Sequence, residues 1–266
     1  MTLLLLLLAL QSADDRAKAA VAKISFPSDD DVKAWTAKGD EHTRVLDAVL
    51  KRETWIAAVK SVEERLMPLG DWTLTVKLTE WDSSHPAHGH REGAKAGILF
   101  NMKRLGAYER KMDGFRRQQE ELRKQGKTMV WRVPPLRYER LIWHELAHVV
   151  QGEITTPAWF HEGLASWIGD DACYLHDFID ANRQVADVET ALPRDEDPYG
   201  RGQFFMKWLE AKIGRDGMKR LVKAVYLDGA DWKKSLVEVT KLEWDDLKKL
   251  ELDATRAAAE KLRPKK

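Results

Sequence analysis

His144-Glu145-Leu146-Ala147-His148 and Trp159-Phe160-His161-Glu162-Gly163-Leu164-Ala165 set ionisable groups inside two apolar stretches joined by a short connection. On an α-helix, residues four apart lie one turn above each other, so His144 and His148 present two imidazoles from one face. Thirteen residues separate His148 from Glu162, enough to finish a first helix, turn through Gly152 and Thr155-Thr156-Pro157, and begin a second helix near Trp159. Within that second helix Trp159, Gly163, Ser166 and Trp167 recur at helical spacing with Glu162 among them, which puts the carboxylate on a face that folding buries. A buried carboxylate without a partner is costly. The two segments therefore predict a helical hairpin that returns Glu162 over the histidines, with a shared cation as the partner.

Two imidazoles and one carboxylate suit a single Zn2+, and a hydrolytic zinc keeps three protein ligands and one open position. Glu145 leaves the helix beside the histidines, where its carboxylate can accept a proton from an attacking water. His161 competes with Glu162 as third ligand, but one residue of helix turns a side chain by ~100°, so the two cannot both face the same point. The bland alternative is an accidental HExxH with both histidines on a solvated face; the downstream Glu-Gly-Leu-Ala segment is independent of the pentapeptide and counts against it.

Together the two segments resemble the gluzincins, peptidase MA-like zinc metallopeptidases with an HExxH, a short loop, and a P-x-W-x-x-E-G-x-A run, here Pro157 to Ala165. The resemblance implies that His144, His148 and Glu162 bind zinc and that Glu145 is the general base. It extends more weakly through Tyr199-Gly200-Arg201-Gly202-Gln203-Phe204 to Gly214, and covers roughly Leu136 to Leu250. No G-x-M-E-N segment precedes the site, so the amine-anchoring element of the aminopeptidase branch is absent and an endopeptidase is the expected form. Ser166 stands where some relatives carry an aspartate that orients a zinc-binding histidine, so that support is expected from elsewhere in the chain. Tyr199, in a loop leading into the next helix, is the first choice for stabilising the oxyanion, with a solvated tyrosine capping the core as its alternative; Tyr174 is a weaker choice. Arg201 is read as a substrate contact or, more simply, a solvated loop arginine. The rival from another class is a non-catalytic extracellular module that binds peptide or envelope material and keeps a structural metal; a fourth protein ligand, such as His161 or His176, would favour it.

The fold expected is α+β: a gluzincin-like small mixed sheet with an edge strand, active-site helices, and a C-terminal helical bundle. Apolar spacing predicts a helix from His42 to Met67, ended by Pro68 and Gly70, and strands at Trp72–Leu78, Ala96–Asn101 and Thr128–Val133. The last of these is the expected edge strand, where an extended peptide substrate could add to the sheet. Arg104 to Lys124 reads as a charged helical insert, and Ser83 to Arg91, with His85, His88 and His90, as a loop, a possible lid rather than a second metal site. Trp55, Trp143, Trp167 and Trp208 are expected in the core, and Trp131 and Trp159 in the core or the cleft. After Tyr199 the chain predicts helices at 203–213, 218–226, 232–239 and 244–262. The organisation expected is a leader over residues 1–20, a helix-and-sheet subdomain over 21–135, and a helical subdomain over 136–266, forming one catalytic unit.

With 44% hydrophobic and 33% charged residues the 266-residue chain is globular, and a net charge of +1 gives nucleic acid no electrostatic purchase. Cys173 alone provides no disulfide framework. The run Leu3 to Leu10 is shorter than the ~18 residues that span a bilayer and reads as a secretory signal, cleaved after Ala13 or near Ala20, with a secreted or periplasmic mature chain. The sequence is silent on oligomeric state. A fusion of residues 1–30 is expected to carry a periplasmic reporter out of the cytoplasm; retention of the reporter inside would contradict export.

Overall fold

The computed structural model describes residues 12–67, 69–70, 72–127, 136–153, 155–169, 193 and 198–262. The expected strand Thr128–Val133, Trp131, the segment Cys173-Tyr174-Leu175-His176 and residues 1–11 lie outside these. The described residues form an α+β fold, mostly helical, around one three-stranded mixed sheet.

Helix α1 (Ala13–Ala22) starts at Ser12, whose hydroxyl accepts from the Asp15 N–H, and buries Ala17 and Val21. A chain starting after Ala20 would forgo the burial of Ala17, whereas one starting after Ala13 would keep it. Helix α2 (Asp29–Thr36) opens with a capping box between Ser28 and Asp31. The stretch 42–67, where spacing predicts one helix, is two: α3 (Asp40–Val49) and α4 (Arg52–Arg65). Lys51 is extended, and the Trp55 indole N–H donates to Val49 O at 2.7 Å, taking a terminal carbonyl that a continuous helix would give to residue 53. The apolar period carries across this interruption, which hides the break in the sequence.

Strands β1 (Thr73–Thr79) and β3 (Lys95–Asn101) lie where predicted and pair in parallel. Between them the expected histidine loop is instead strand β2 (Ala87–Glu92), antiparallel to β3 in the order β1-β3-β2. Ala87 and Gly89 are buried while His88 and His90 are exposed, a two-residue alternation whose inward members are too small to register as hydrophobic. Helix α5 (Met102–Lys124) buries Met102, Leu105 and Met112 in its first half, packs on α3, and is mostly exposed beyond Gly114.

Helix α6 (Tyr138–Gln151) carries the HELAH sequence and packs on β2, α4 and α7 (Ala158–Gly169). Its start is tied to α5, where the Tyr138 hydroxyl donates to Glu109 Oε1 at 2.8 Å and the Tyr108 hydroxyl accepts from the Leu136 N–H. The two site helices end under guanidinium caps from the N-terminal half, which suit the partial negative charge there. Arg91 donates to Val149 O at 2.8 Å and Val150 O at 3.3 Å, and Arg65 donates to Trp167 O at 3.1 Å.

Helix α8 (Gly200–Val222) kinks at Gly214, as the sequence break there predicts, and runs into a π-helical turn at Lys223–Leu227. Helices α9 (Trp232–Thr240) and α10 (Trp244–Leu262) complete the C-terminal part. Arg201 is neither solvated nor open to substrate: it is buried against Glu251 of α10, with Nη2 to Oε2 at 2.7 Å. One hydrophobic cluster joins both halves, from Ala17 to Leu247, and includes Trp55, Trp159 and Trp167, with Trp143 and Trp208 packed at its margin. No helix among the described residues is long and apolar enough to cross a membrane.

Close approach of α7 to α8 rests on two glycines. A β-carbon on Gly163 would stand 2.5 Å from the Gly202 carbonyl carbon, and one on Gly202 would stand 2.5 Å from Trp159 O. Gly163→Ala is expected to lower stability by about 1–3 kcal/mol through overpacking. Gly114→Ala, in a helix interior with open space around it, is expected to raise stability by about 0.5–1 kcal/mol. Urea unfolding of the two variants checks the contrast.

Candidate metal centre

Helices α6 and α7 form the hairpin that the sequence predicts, turning at Gly152 with φ 70° and ψ −135°. It brings His144, His148 and Glu162 together. His144 Nε2 and His148 Nε2 stand 3.0 Å apart, and each is 3.3 Å from Glu162 Oε2. Among the described residues these are the one set of three or more histidine, cysteine, aspartate or glutamate side chains whose ligand atoms converge.

The triangle has the spacing of a metal site. Ligand atoms about 2.0–2.1 Å from a tetrahedral zinc stand roughly 3.3 Å from one another, the spacing found here. Glu162 Oε2 is buried, and among the described residues its close polar neighbours are the two imidazoles. Three atoms of metal-ligand type therefore converge on one point. Burial opposes the charge on Glu162, yet contact with His144 and His148 holds its carboxyl far below the usual range. Burial likewise opposes charge on His148, and Glu162 outweighs it, raising that imidazole above its ordinary value. Both shifts follow from the close approach of the Glu162 carboxylate to the imidazoles.

Glu145 is buried on the same helix, turned toward the sheet. Its Oε2 accepts from the Gly89 N–H of β2 at 2.6 Å. Only glycine fits opposite, because a β-carbon at position 89 would meet Glu145 O at 2.2 Å. The Gly89 N–H points away from β3, consistent with the Asn101 N–H to Pro86 O bond that fixes the pairing phase.

His161 is not a ligand. Its Nε2 stands 3.0 Å from His148 Nδ1, on the ring nitrogen opposite the triangle, with the two rings within 14° of parallel. Burial, then the adjacent His148, push its imidazole down to about 3, so it is neutral. His176 lies outside the described residues. Ser166 Oγ is buried without a hydrogen-bond partner and supports neither histidine. Gln151, not singled out by the sequence, is the group beside His148, with Oε1 2.7 Å from its Nδ1. Its spacing three residues beyond His148 on the same helix was the available signal.

Tyr199 occupies the N-terminal cap of α8, with its ring centroid 6.3 Å from that of His144. Burial, then the carboxylates of Glu162 and Glu145, raise its phenol above the ordinary value, so the hydroxyl is protonated and able to donate. Arg201, two residues on, belongs to the buried pair with Glu251. On β2, His88 and His90 stack at 5.6 Å without a third ligand, so the histidine-bearing segment forms no second centre among the described residues.

No protein-family model, curated protein or solved structure matches the chain.

Because Nε2 of His148 takes either a proton or a metal, acid must compete with metal. The raised imidazole brings that competition in above the ordinary value of about 6.5. Affinity for a first-row divalent metal is therefore expected to fall as pH drops from about 8 to 5.5, and to be low throughout in His148→Ala. Metal titrations across that range check this; a pH-independent affinity would exclude imidazole ligation.

Proposed function

We propose that the chain is a gluzincin-type zinc metallopeptidase acting as an endopeptidase on peptide or protein substrates. The observation that carries the reading is the convergence of His144 Nε2, His148 Nε2 and Glu162 Oε2 at 3.0–3.3 Å, beside a buried Glu145. His144, His148 and Glu162 would hold one zinc. When bound, zinc would polarise the scissile carbonyl and acidify a water.

Glu145 does the proton work in this reading. The Gly89 N–H fixes one carboxylate oxygen and so limits rotation of the group. The carboxylate takes a proton from the attacking water and passes it to the leaving amine. Tyr199, with a protonated phenol near His144, is the proposed donor to the oxyanion. The apolar run Leu3 to Leu10 supports export, so the proposed place of action is outside the cytoplasm.

Among the described residues the metal-keeping but non-catalytic module gains no observation: it needs a fourth protein ligand, and His161 lies against Nδ1 of His148 instead.

Glu145→Gln is expected to bind zinc as wild type does while hydrolysis of unstructured peptides falls by roughly 10²–10⁴-fold. Tyr199→Phe is expected to lose about 10²-fold in kcat with zinc content intact. Metal analysis and peptide cleavage on the same preparations check both, and undiminished cleavage by Glu145→Gln would sink the mechanism.

A further inference from the structure

Behind His148, on the side away from Glu162, lies a buried polar chain that the proposed chemistry does not use. It begins at the main-chain carbonyl of His161, a group that can only accept. Gln151 Nε2 donates to that oxygen at 2.8 Å and to the Tyr226 hydroxyl at 3.4 Å, which lies 3.2 Å from Thr156 Oγ1. The π turn puts Tyr226 there, closed by the Asp228 N–H donating to Lys223 O at 3.0 Å.

The direction of the hydrogens from Gln151 to His148 is set by the first member of this chain. With the Gln151 amide nitrogen committed to the His161 carbonyl, the amide cannot turn over. Gln151 Oε1 must then face His148 Nδ1, at 2.7 Å. A carbonyl oxygen accepts, so Nδ1 carries the ring hydrogen, and the lone pair of neutral His148 is on Nε2. That atom is the corner of the triangle, 3.0 Å from His144 Nε2 and 3.3 Å from Glu162 Oε2. His161 Nε2, the other group near Nδ1, stands farther off at 3.0 Å and can serve only as a second acceptor. Gln151 is 2% exposed, so solvent does not replace its contacts.

We propose that Gln151, held by the His161 carbonyl and Tyr226, is the positioning residue that sets the tautomer of His148 and aims its Nε2 at the metal. The role rests on the metallopeptidase reading of the same site, and it takes the place of the carboxylate that Ser166 does not provide.

Two measurements on Gln151→Met and Gln151→Glu test it. Zinc affinity is read by competition with a chromophoric chelator, and the His148 tautomer by long-range proton–nitrogen NMR of the metal-free protein at mildly alkaline pH. Gln151→Met removes the acceptor at similar volume and is expected to weaken zinc about 10–100-fold and to move His148 toward the Nε2–H form. Gln151→Glu keeps the acceptor toward Nδ1 but sets a second acceptor against the His161 carbonyl, so it is expected to retain Nδ1–H, and its readout is the tautomer rather than the zinc affinity. Gln151→Met binding zinc within about threefold of wild type, or keeping an unchanged tautomer, would overturn the role. If Gln151→Met does not fold, Gln151→Glu decides alone: an Nε2–H ring at His148 overturns it. His148→Ala with wild-type zinc affinity would instead refute the metal reading, while the tautomer measurement still judges Gln151.

Discussion

At Gly89 the backbone of β2 comes so close to α6 that a β-carbon would stand 2.2 Å from Glu145 O, and the placement of the whole centre depends on this approach. It lets a main-chain N–H reach the Glu145 carboxylate at 2.6 Å. Two residues along, Arg91 caps Val149 and Val150 at the far end of the same helix. A strand edge presents unpaired N–H groups every second residue, and here one of them meets a buried acid that would otherwise lack a partner. The edge and the acid each supply what the other needs.

From that clamp the remaining parts of the centre are placed by short steps. Helix α6 presents His144 and His148 one turn apart, the Gly152 turn reverses the chain, and α7 returns Glu162 to complete the triangle. The glycine contact between α7 and α8 then brings the start of α8, and with it Tyr199, toward His144. Behind the triangle the polar chain through Gln151 reaches Tyr226, beyond the kink of α8. Residues far apart in sequence thus meet because three helices and one strand share a small set of close contacts.

Much of this was legible in the chain itself. Two histidines four apart, a glutamate on an apolar helix and a connection of hairpin length implied the triangle, because a buried carboxylate requires a counter-charge. The helix period likewise located most elements, and Gly214 marked its break. Three things were not legible. Strand β2 alternates Ala87 and Gly89 with histidines, so its buried face carries almost no hydrophobic signal. The break at Leu50 and Lys51 leaves the apolar period intact. Arg201 looked solvated because its partner, Glu251, is fifty positions away, and an ion pair of that separation leaves no local pattern. Gln151 shows a subtler limit: its spacing from His148 was visible, but its amide direction depends on a carbonyl supplied by tertiary structure.

The caps on the two site helices have a consequence for how the molecule opens. Arg91 from β2 and Arg65 from α4 hold the C-terminal ends of α6 and α7, the places where helices ordinarily fray. Detaching β2 would release the Arg91 cap and the Glu145 carboxylate in one event. Opening of the candidate metal centre is therefore coupled to detachment of the sheet edge, and not only to movement of its own hairpin.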